Sequence, residues 1–183
     1  MLHEQPAPPT DPSPWIARFH RLIRPGGRVL DLAAGAGRHT RLLRAQGYRV
    51  LAVDRDVAAL RAGFAGDPGC EILAIDLETG AWVLGGGFDG IVVTNYLHRP
   101  LLPALAPALA PGGVLIYETF MAGNERFGKP SNPDFLLRPG ELLELCRDGI
   151  TALAFEQGVV TTPRPAMRQR LAAIKGELGL LPY

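Results

Sequence analysis

Val29-Leu30-Asp31-Leu32-Ala33-Ala34-Gly35-Ala36-Gly37-Arg38 reads as a short apolar strand that runs into a Gly-x-Gly turn and opens a helix. Glycines at 35 and 37 permit backbone angles closed to other residues and let a ligand approach the main chain. The next apolar run, 48–53 (YRVLAV), ends at Asp54, 17 residues after Gly37. A carboxylate at the end of a second strand can accept two hydrogen bonds from ribose hydroxyls. A nucleoside lying across the carboxyl ends of the strands is the rule for this arrangement. Taken singly, each sign has a plainer reading. The glycines can make only a tight turn, and Asp54 or Asp56 can cap the following helix. Together in one strand–helix–strand unit they point to a nucleotide site.

Outward from this unit, strand and helix patterns alternate. Trp15, Ile16, Phe19, Leu22 and Ile23 have helical spacing, which predicts a helix over 15–24. Strands are predicted over 28–33, 48–53, 70–75, 88–95 and 113–120. Helices are predicted over 37–46, 57–62, 100–110 and 140–147, with Gly47 ending the first of these and Pro107 shortening the third. Two further strands, 150–157 and 167–174, are joined by a short turn with no room for a crossover helix. The expectation is an α/β fold: a Rossmann-like, doubly wound, mostly parallel seven-stranded sheet with a C-terminal antiparallel hairpin strand.

Composition narrows the class. The 183 residues carry 19 Lys plus Arg against 18 Asp plus Glu, a net charge of +1. That balance does not favour nucleic acid, whose non-specific binding needs many phosphate contacts. Two cysteines are too few for a disulfide scaffold or a Cys-x-x-Cys metal site, and no metal site is expected. No apolar run is long enough to span a membrane, and the first residues lack the cationic start and apolar stretch of a secretory leader. A cytoplasmic monomer or homodimer is the expectation. The 22 glycines and 17 prolines raise the question of disorder. Only the cluster before Trp15 is concentrated enough for it, so 1–14 reads as a flexible tail and 15–183 as a single domain.

The nucleotide is narrowed by what the loop lacks. A dinucleotide fingerprint would place a third glycine at Thr40, and no P-loop motif occurs. Asp31, inside the strand, suits a cationic amino group or sulfonium better than a pyrophosphate. With these residues in view, VLDLAAGAGRHT resembles the first motif of the class I S-adenosylmethionine-dependent methyltransferases. LAVDRD, EILAIDLE, FDGIVVTNYLHRP and LAPGGVLIYETF resemble that family's later motifs, in order, over residues 28–120. Among its members the chain is most similar to small stand-alone enzymes of the tellurite-resistance type.

The resemblance implies S-adenosylmethionine as cofactor and S-adenosylhomocysteine as product. It implies that Asp31 fixes the loop and reaches the methionine amino group. Ala33, Gly35 and Gly37 would pass under the methionine, and Arg38 would pair with its carboxylate or stay a solvated helix arginine. Asp54 would take the ribose hydroxyls and Arg55 flank the adenine. Asp76 and the Leu77 amide would receive the adenine edge, with an Asx turn as the plainer role for Asp76. Asn95 would lie beside the transferred methyl as a cofactor-binding residue, or bind the cofactor through its backbone alone. It stands in Asn95-Tyr96-Leu97-His98, not the Asn-Pro-Pro-Tyr of many amino-group methyltransferases, which argues against nucleobase or glutamine acceptors.

His98, Tyr96 and Glu118 are the candidate catalytic groups, at strand ends facing the pocket. A carboxylate at 118 between apolar neighbours needs a polar site or a buried arginine partner. Loop 121–139, with Asn124, Glu125, Arg126 and Phe127, is a candidate substrate lid. The expected reaction is in-line methyl transfer to a small-molecule acceptor. The alternatives are a nicotinamide-dependent oxidoreductase and a non-catalytic nucleotide-binding Rossmann-like protein.

Overall fold

A computed structural model describes residues 10–80, 82–147 and 149–176. Seven strands form one sheet in the order β3-β2-β1-β4-β5-β7-β6. They are β1 (Arg28–Leu32), β2 (Arg49–Asp54), β3 (Cys70–Ala74), β4 (Phe88–Thr94), β5 (Leu109–Phe120), β6 (Ile150–Val160) and β7 (Ala166–Lys175). The first five are parallel; β7 pairs antiparallel with both β5 and β6. The chain winds outward from β1 to β3, then returns to the other side of β1 at β4. The carboxyl ends of β1 and β4 therefore flank the switch point, where such sheets bind ligands.

Alternation along the strands builds two apolar layers. Leu30, Leu32, Ile91, Val93, Leu115 and Tyr117 face one side, with Leu105 of α4 (Leu102–Ala108). Val29, Val92, Val114 and Ile116 face the other, with α1 (Pro14–Phe19), α2 (Arg38–Ala45) and α3 (Ala58–Gly63). Each fully buried Leu or Ile contributes about 1.5–3 kcal/mol over leaving it in water. The same alternation sends Asp31, Thr94, Glu118, Arg168 and Arg170 to the α1–α2 side. This one face thus carries a polar cluster near the top of the sheet.

Several elements differ from the expected ones. The first helix is shorter: α1 ends at Phe19 and a single 3-10 turn, His20–Leu22, follows. The helix expected over 140–147 is a 3-10 segment, Glu141–Leu145. Proline at 107 limits α4, and β5 starts directly after it. The ammonium of Lys175 donates to the carbonyls of Pro107 (3.3 Å) and Leu109 (2.7 Å), which the helix end leaves without an intrahelical partner. The proposed tail falls mostly on residues 1–9, outside the described residues. Its end belongs to the fold: Ser13 is 3% exposed, and its hydroxyl accepts from the Trp15 amide at 3.1 Å to cap α1. No helix among the described residues is long and apolar enough to cross a membrane.

Candidate active site

Among the described residues, two non-glycine residues take the left-handed conformation: Ala33 (φ 56°) and Asn95 (φ 55°). They directly follow β1 and β4, the two strands flanking the switch point. An alanine held there stores roughly 1 kcal/mol or more, and strain of this kind marks a site that the surrounding fold enforces. Both residues line a cavity of about 410 Å³, with Asp54, Arg55, Ile75, Asp76, Leu77, Glu78, Tyr96 and Phe135. The volume is in the range of cofactor sites.

The glycine turn is built around Asp54. Gly35 and Gly37 lie at φ 56° and 79°. The Gly35 amide donates to Asp54 Oδ2 at 2.8 Å, and the Asp56 amide donates to Oδ1 at 3.1 Å. Each carboxylate oxygen keeps a free lone pair, so Asp54 can still accept two hydroxyls. A side chain at 35 would meet nothing within 4 Å, whereas a Cβ at 37 would lie 2.7 Å from both Leu60 and Phe64. Gly37 is thus required by packing and Gly35 by backbone angle alone. At the end of β3, Asp76 makes the Asx turn, accepting from the Glu78 amide at 2.9 Å. The cavity and the turn coexist, because only Oδ1 is used.

Beneath the turn, Asp31 is 1% exposed. Its Oδ2 accepts from Thr40 Oγ1 at 2.6 Å, while Oδ1 is buried with no partner among the described residues. Burial pushes its carboxyl up to about 6, against the Thr40 hydrogen bonds and Arg38. An orphaned buried acceptor calls for an explanation, and a cationic ligand group would supply one. Arg38 donates from Nη1 to the Asp11 carbonyl at 3.1 Å. No carboxylate lies within ion-pair distance of it among the described residues. Thr40, standing where a dinucleotide fingerprint has glycine, serves to hold Asp31.

The strand-end candidates separate into three situations. Tyr96 lines the cavity, and its hydroxyl is buried without a partner among the described residues. Burial, then Glu78 and Asp76, push its phenol up to about 12, so it stays a hydrogen-bond donor at neutral pH. His98 is half-buried before the turn Arg99–Leu101 and does not line the cavity.

Glu118 is 4% exposed and lies in an arginine pairing, one of the two environments open to a carboxylate at this position. Oε1 takes Arg168 Nη1 at 3.1 Å, and Oε2 takes Arg170 Nε at 2.7 Å and Ser13 Oγ at 3.0 Å. Arg168 Nη1 also donates to Asn95 Oδ1 at 2.7 Å, and its guanidinium lies 4.2 Å over the Phe120 ring. Beside this cluster, His39 Nε2 accepts from the Ser13 amide at 3.1 Å. Nδ1 therefore carries the proton toward Thr94 Oγ1, also 3.1 Å away. Burial, reinforced by Arg38, pushes this imidazole down to about 3, so it is neutral.

Loop 121–139 divides differently from the expectation. Asn124, expected in a lid, is 1% exposed and structural. Its amide donates to the Pro130 carbonyl (2.9 Å) and accepts from the Met167 amide (3.0 Å). Glu125 and Arg126 fold back onto Gly123, and Phe127 is 40% exposed. The loop residue that reaches the cavity is Phe135, half-exposed. Arg99 holds its segment by donating to the carbonyls of Asp134 (2.9 Å) and Leu136 (2.8 Å), and it pairs with Glu141 at 2.7 Å. Phe135, Arg99 and Arg168 were not among the sequence candidates. Arg168 and Arg170 had a signal: in MRQRLAAI the two arginines share the strand parity that brings them to Glu118. For Phe135, within the aperiodic SNPDFLLRP, there was none.

Residues 3–147 match the methyltransferase domain family. A trans-aconitate 2-methyltransferase of Paracidovorax citrulli is 36% identical over 94 residues, covering 48% of this chain and 36% of that protein. A protein-L-isoaspartate O-methyltransferase of Methylorubrum populi is 31% identical over 119 residues, covering 57% of this chain and 56% of that one. The chain thus spans about half the length, or less, of these curated relatives. Among solved structures, TehB from Haemophilus influenzae superposes with a TM-score of 0.74 at 19% identity, covering 87% of this chain and 61% of that one. The chain belongs to the methyltransferase domain family and has the fold of the class I S-adenosylmethionine-dependent methyltransferases.

Proposed function

We propose that the cavity binds S-adenosylmethionine and that the chain transfers its methyl group to a small-molecule acceptor. The observation that carries this reading is the Asp54 carboxylate, tied to the Gly35 amide at the switch point with free lone pairs toward the cavity. Asp54 receives the ribose hydroxyls. Asp76 Oδ2 and the Leu77 amide receive the adenine edge, flanked by Arg55 and covered by Phe135. Asp31 Oδ1, orphaned in the fold, receives the methionine amino group, and Arg38 receives its carboxylate as a charge-assisted pair. Ala33, Gly35 and Gly37 give the backbone room for the methionine chain. Asn95, at the end of β4, stands beside the transferred methyl.

When bound, S-adenosylmethionine supplies a methyl carbon already activated on a sulfonium. The residues here then have positioning as their main task. Phe135 and the Tyr96 ring exclude water from the cavity. Tyr96 donates its free hydroxyl. Glu118 acts through Arg168 and Asn95 and not on the reacting atoms. His98, outside the cavity lining, closes the turn that carries Arg99.

A nicotinamide-dependent oxidoreductase is the poorer fit, since Asp31 would face the pyrophosphate and Thr40 replaces the third glycine. Thermal-shift series with S-adenosylhomocysteine, NAD and ATP separate the readings. A ligand at a hundred times its Kd stabilises by about 2.7 kcal/mol. Stabilisation by S-adenosylhomocysteine supports the proposal, and stabilisation by NAD alone would sink it. Incubation with labelled S-adenosylmethionine and a size-fractionated extract tests the acceptor: label in macromolecules would overturn the small-molecule assignment.

A further inference from the structure

We propose that the acceptor presents an ionised oxygen, a carboxylate, to Asn95 and Arg168, and that the product is a methyl ester. The inference rests on the methyltransferase reading above and specifies its substrate class. Asn95 carries the first argument. Arg168 is donor-only, so the atom of Asn95 that it contacts at 2.7 Å must be Oδ1. The Nδ2–H₂ of Asn95 therefore keeps no hydrogen bond among the described residues. A donor there suits an oxygen acceptor and does not suit an amino group, whose own hydrogens need an acceptor.

Arg168 carries the second argument. Its Nη1 serves both Glu118 and Asn95, leaving its Nε and Nη2 without a hydrogen bond among the described residues. The guanidinium is fixed by Glu118 on one side and by the Phe120 ring on another. It also lines a second cavity of about 70 Å³, with Gln157, Gly158 and Arg170. That space holds roughly two water molecules. Glu156 borders it as well, but is paired to Arg170 at 3.5 Å.

The third argument is proton traffic. At this end of the sheet Glu118 is occupied by two arginines and Ser13, and His39 by Ser13 and Thr94. Tyr96 keeps its proton. The cavity carboxylates Asp54, Asp76 and Glu78 lie at the β2 and β3 ends, where the cofactor reading uses them. An amine or alcohol must lose a proton during methylation; a carboxylate has none to lose. Its oxygen forms the new C–O bond as the C–S bond breaks, the sulfur keeps that electron pair, and neutral thioether and neutral ester remain.

The test uses the full chain with methyl-labelled S-adenosylmethionine. Succinate, glutarate and citrate are the probes, and putrescine and catechol the amine and phenol controls. Methyl esters release volatile labelled methanol in alkali, and N-methyl and O-aryl products do not. Alkali-labile label on an acid is the expected result. Alkali-stable label on a control, or no label on any acid by a chain that binds S-adenosylhomocysteine, overturns the acceptor assignment alone. Failure to bind S-adenosylhomocysteine overturns the methyltransferase reading beneath it.

Arg168→Gln should raise the KM for the acid about 30-fold, the effect of one charge-assisted hydrogen bond. It should weaken calorimetric binding of the acid to the S-adenosylhomocysteine complex equally and leave the Kd of S-adenosylhomocysteine within about twofold. Arg168→Lys should recover part of the loss. Should Arg168→Gln fail to fold, Arg168→Lys carries the test alone, with weaker binding of the acid and the Kd of S-adenosylhomocysteine within about twofold of wild type. Equal loss of cofactor and acid binding in these variants would overturn the assignment.

Discussion

Replacing Asp31 by Asn isolates the cost of keeping a carboxylate ready beneath the glycine turn. Burial raises the Asp31 carboxyl from 3.8 to about 6, so the folded chain holds this proton more tightly than the unfolded chain does. Stability from the protonated form is therefore present at low pH and is lost as pH rises through about 4 to about 6. At about 1.4 kcal/mol per tenfold change in proton affinity, the loss is about 3 kcal/mol by pH 8. Asn cannot ionise. Its Oδ1 can keep the 2.6 Å bond from Thr40, while its Nδ2 lacks a partner at every pH. That second effect costs about 1–3 kcal/mol and is constant.

The quantity to measure is thus the difference between Asp31→Asn and wild type in urea unfolding, followed by Trp fluorescence, from pH 4 to pH 8. The difference should move in favour of Asn by about 2–3 kcal/mol across that range. His39, neutral in the fold, contributes an opposite slope below its ordinary range, but it does so in both proteins and cancels. In the same variant, affinity for S-adenosylhomocysteine should fall about 100-fold or more with loss of the ion pair to the amino group. A difference that stays flat with pH would refute the claim that Asp31 is desolvated without a counter-ion.

Gly37→Ala should destabilise the chain by about 2–3 kcal/mol in urea melts, because the new methyl meets Leu60 and Phe64 at 2.7 Å on a left-handed backbone. Gly35→Ala should cost only about 1 kcal/mol, since its Cβ meets nothing. Equal losses at the two sites would contradict that division. Phe135→Ala should weaken S-adenosylhomocysteine binding about 5- to 10-fold by calorimetry with an unchanged melting temperature, as a stacking contact on a half-exposed ring does. Arg99→Ala should weaken binding similarly and also lower stability, because Glu141, 3% exposed, loses its bidentate partner. His98→Ala, remote from the cavity lining, should leave methyl transfer within about threefold of wild type. A loss of 100-fold or more would make His98 the base.

The sheet was legible because β1, β2 and β4 are short apolar runs with glycine or proline nearby, as Gly47 (φ 83°) stands between α2 and β2. The start of β5 was not: Gly112 (φ 75°), read as a boundary before 113–120, lies inside the strand, which begins at Leu109. Helix lengths were less legible: periodicity over 15–24 does not register the change to a 3-10 turn after Phe19, and 140–147 has helix-forming residues in a segment too short to propagate. The half of the site on β1, β2 and β3 could be read because one local unit supplies Asp31, Gly35 and Asp54. The other half could not. Phe135 reaches the cavity through an irregular loop held by Arg99, and Arg168 meets Asn95 across 73 residues of chain. Such pairs depend on strand register, which no local pattern encodes. The left-handed Ala33 is likewise imposed by its surroundings and not by its residue type.

The central claim is that the Asp54 carboxylate and the glycine turn form a cofactor site for S-adenosylmethionine. Isothermal titration of S-adenosylhomocysteine into wild type and Asp54→Ala tests it most directly. Wild type should bind, and Asp54→Ala should lose about 100-fold or more in affinity, the equivalent of two ribose hydrogen bonds to a charged acceptor. Absence of binding heat to wild type at millimolar ligand, or equal affinities in the two proteins, would contradict the assignment.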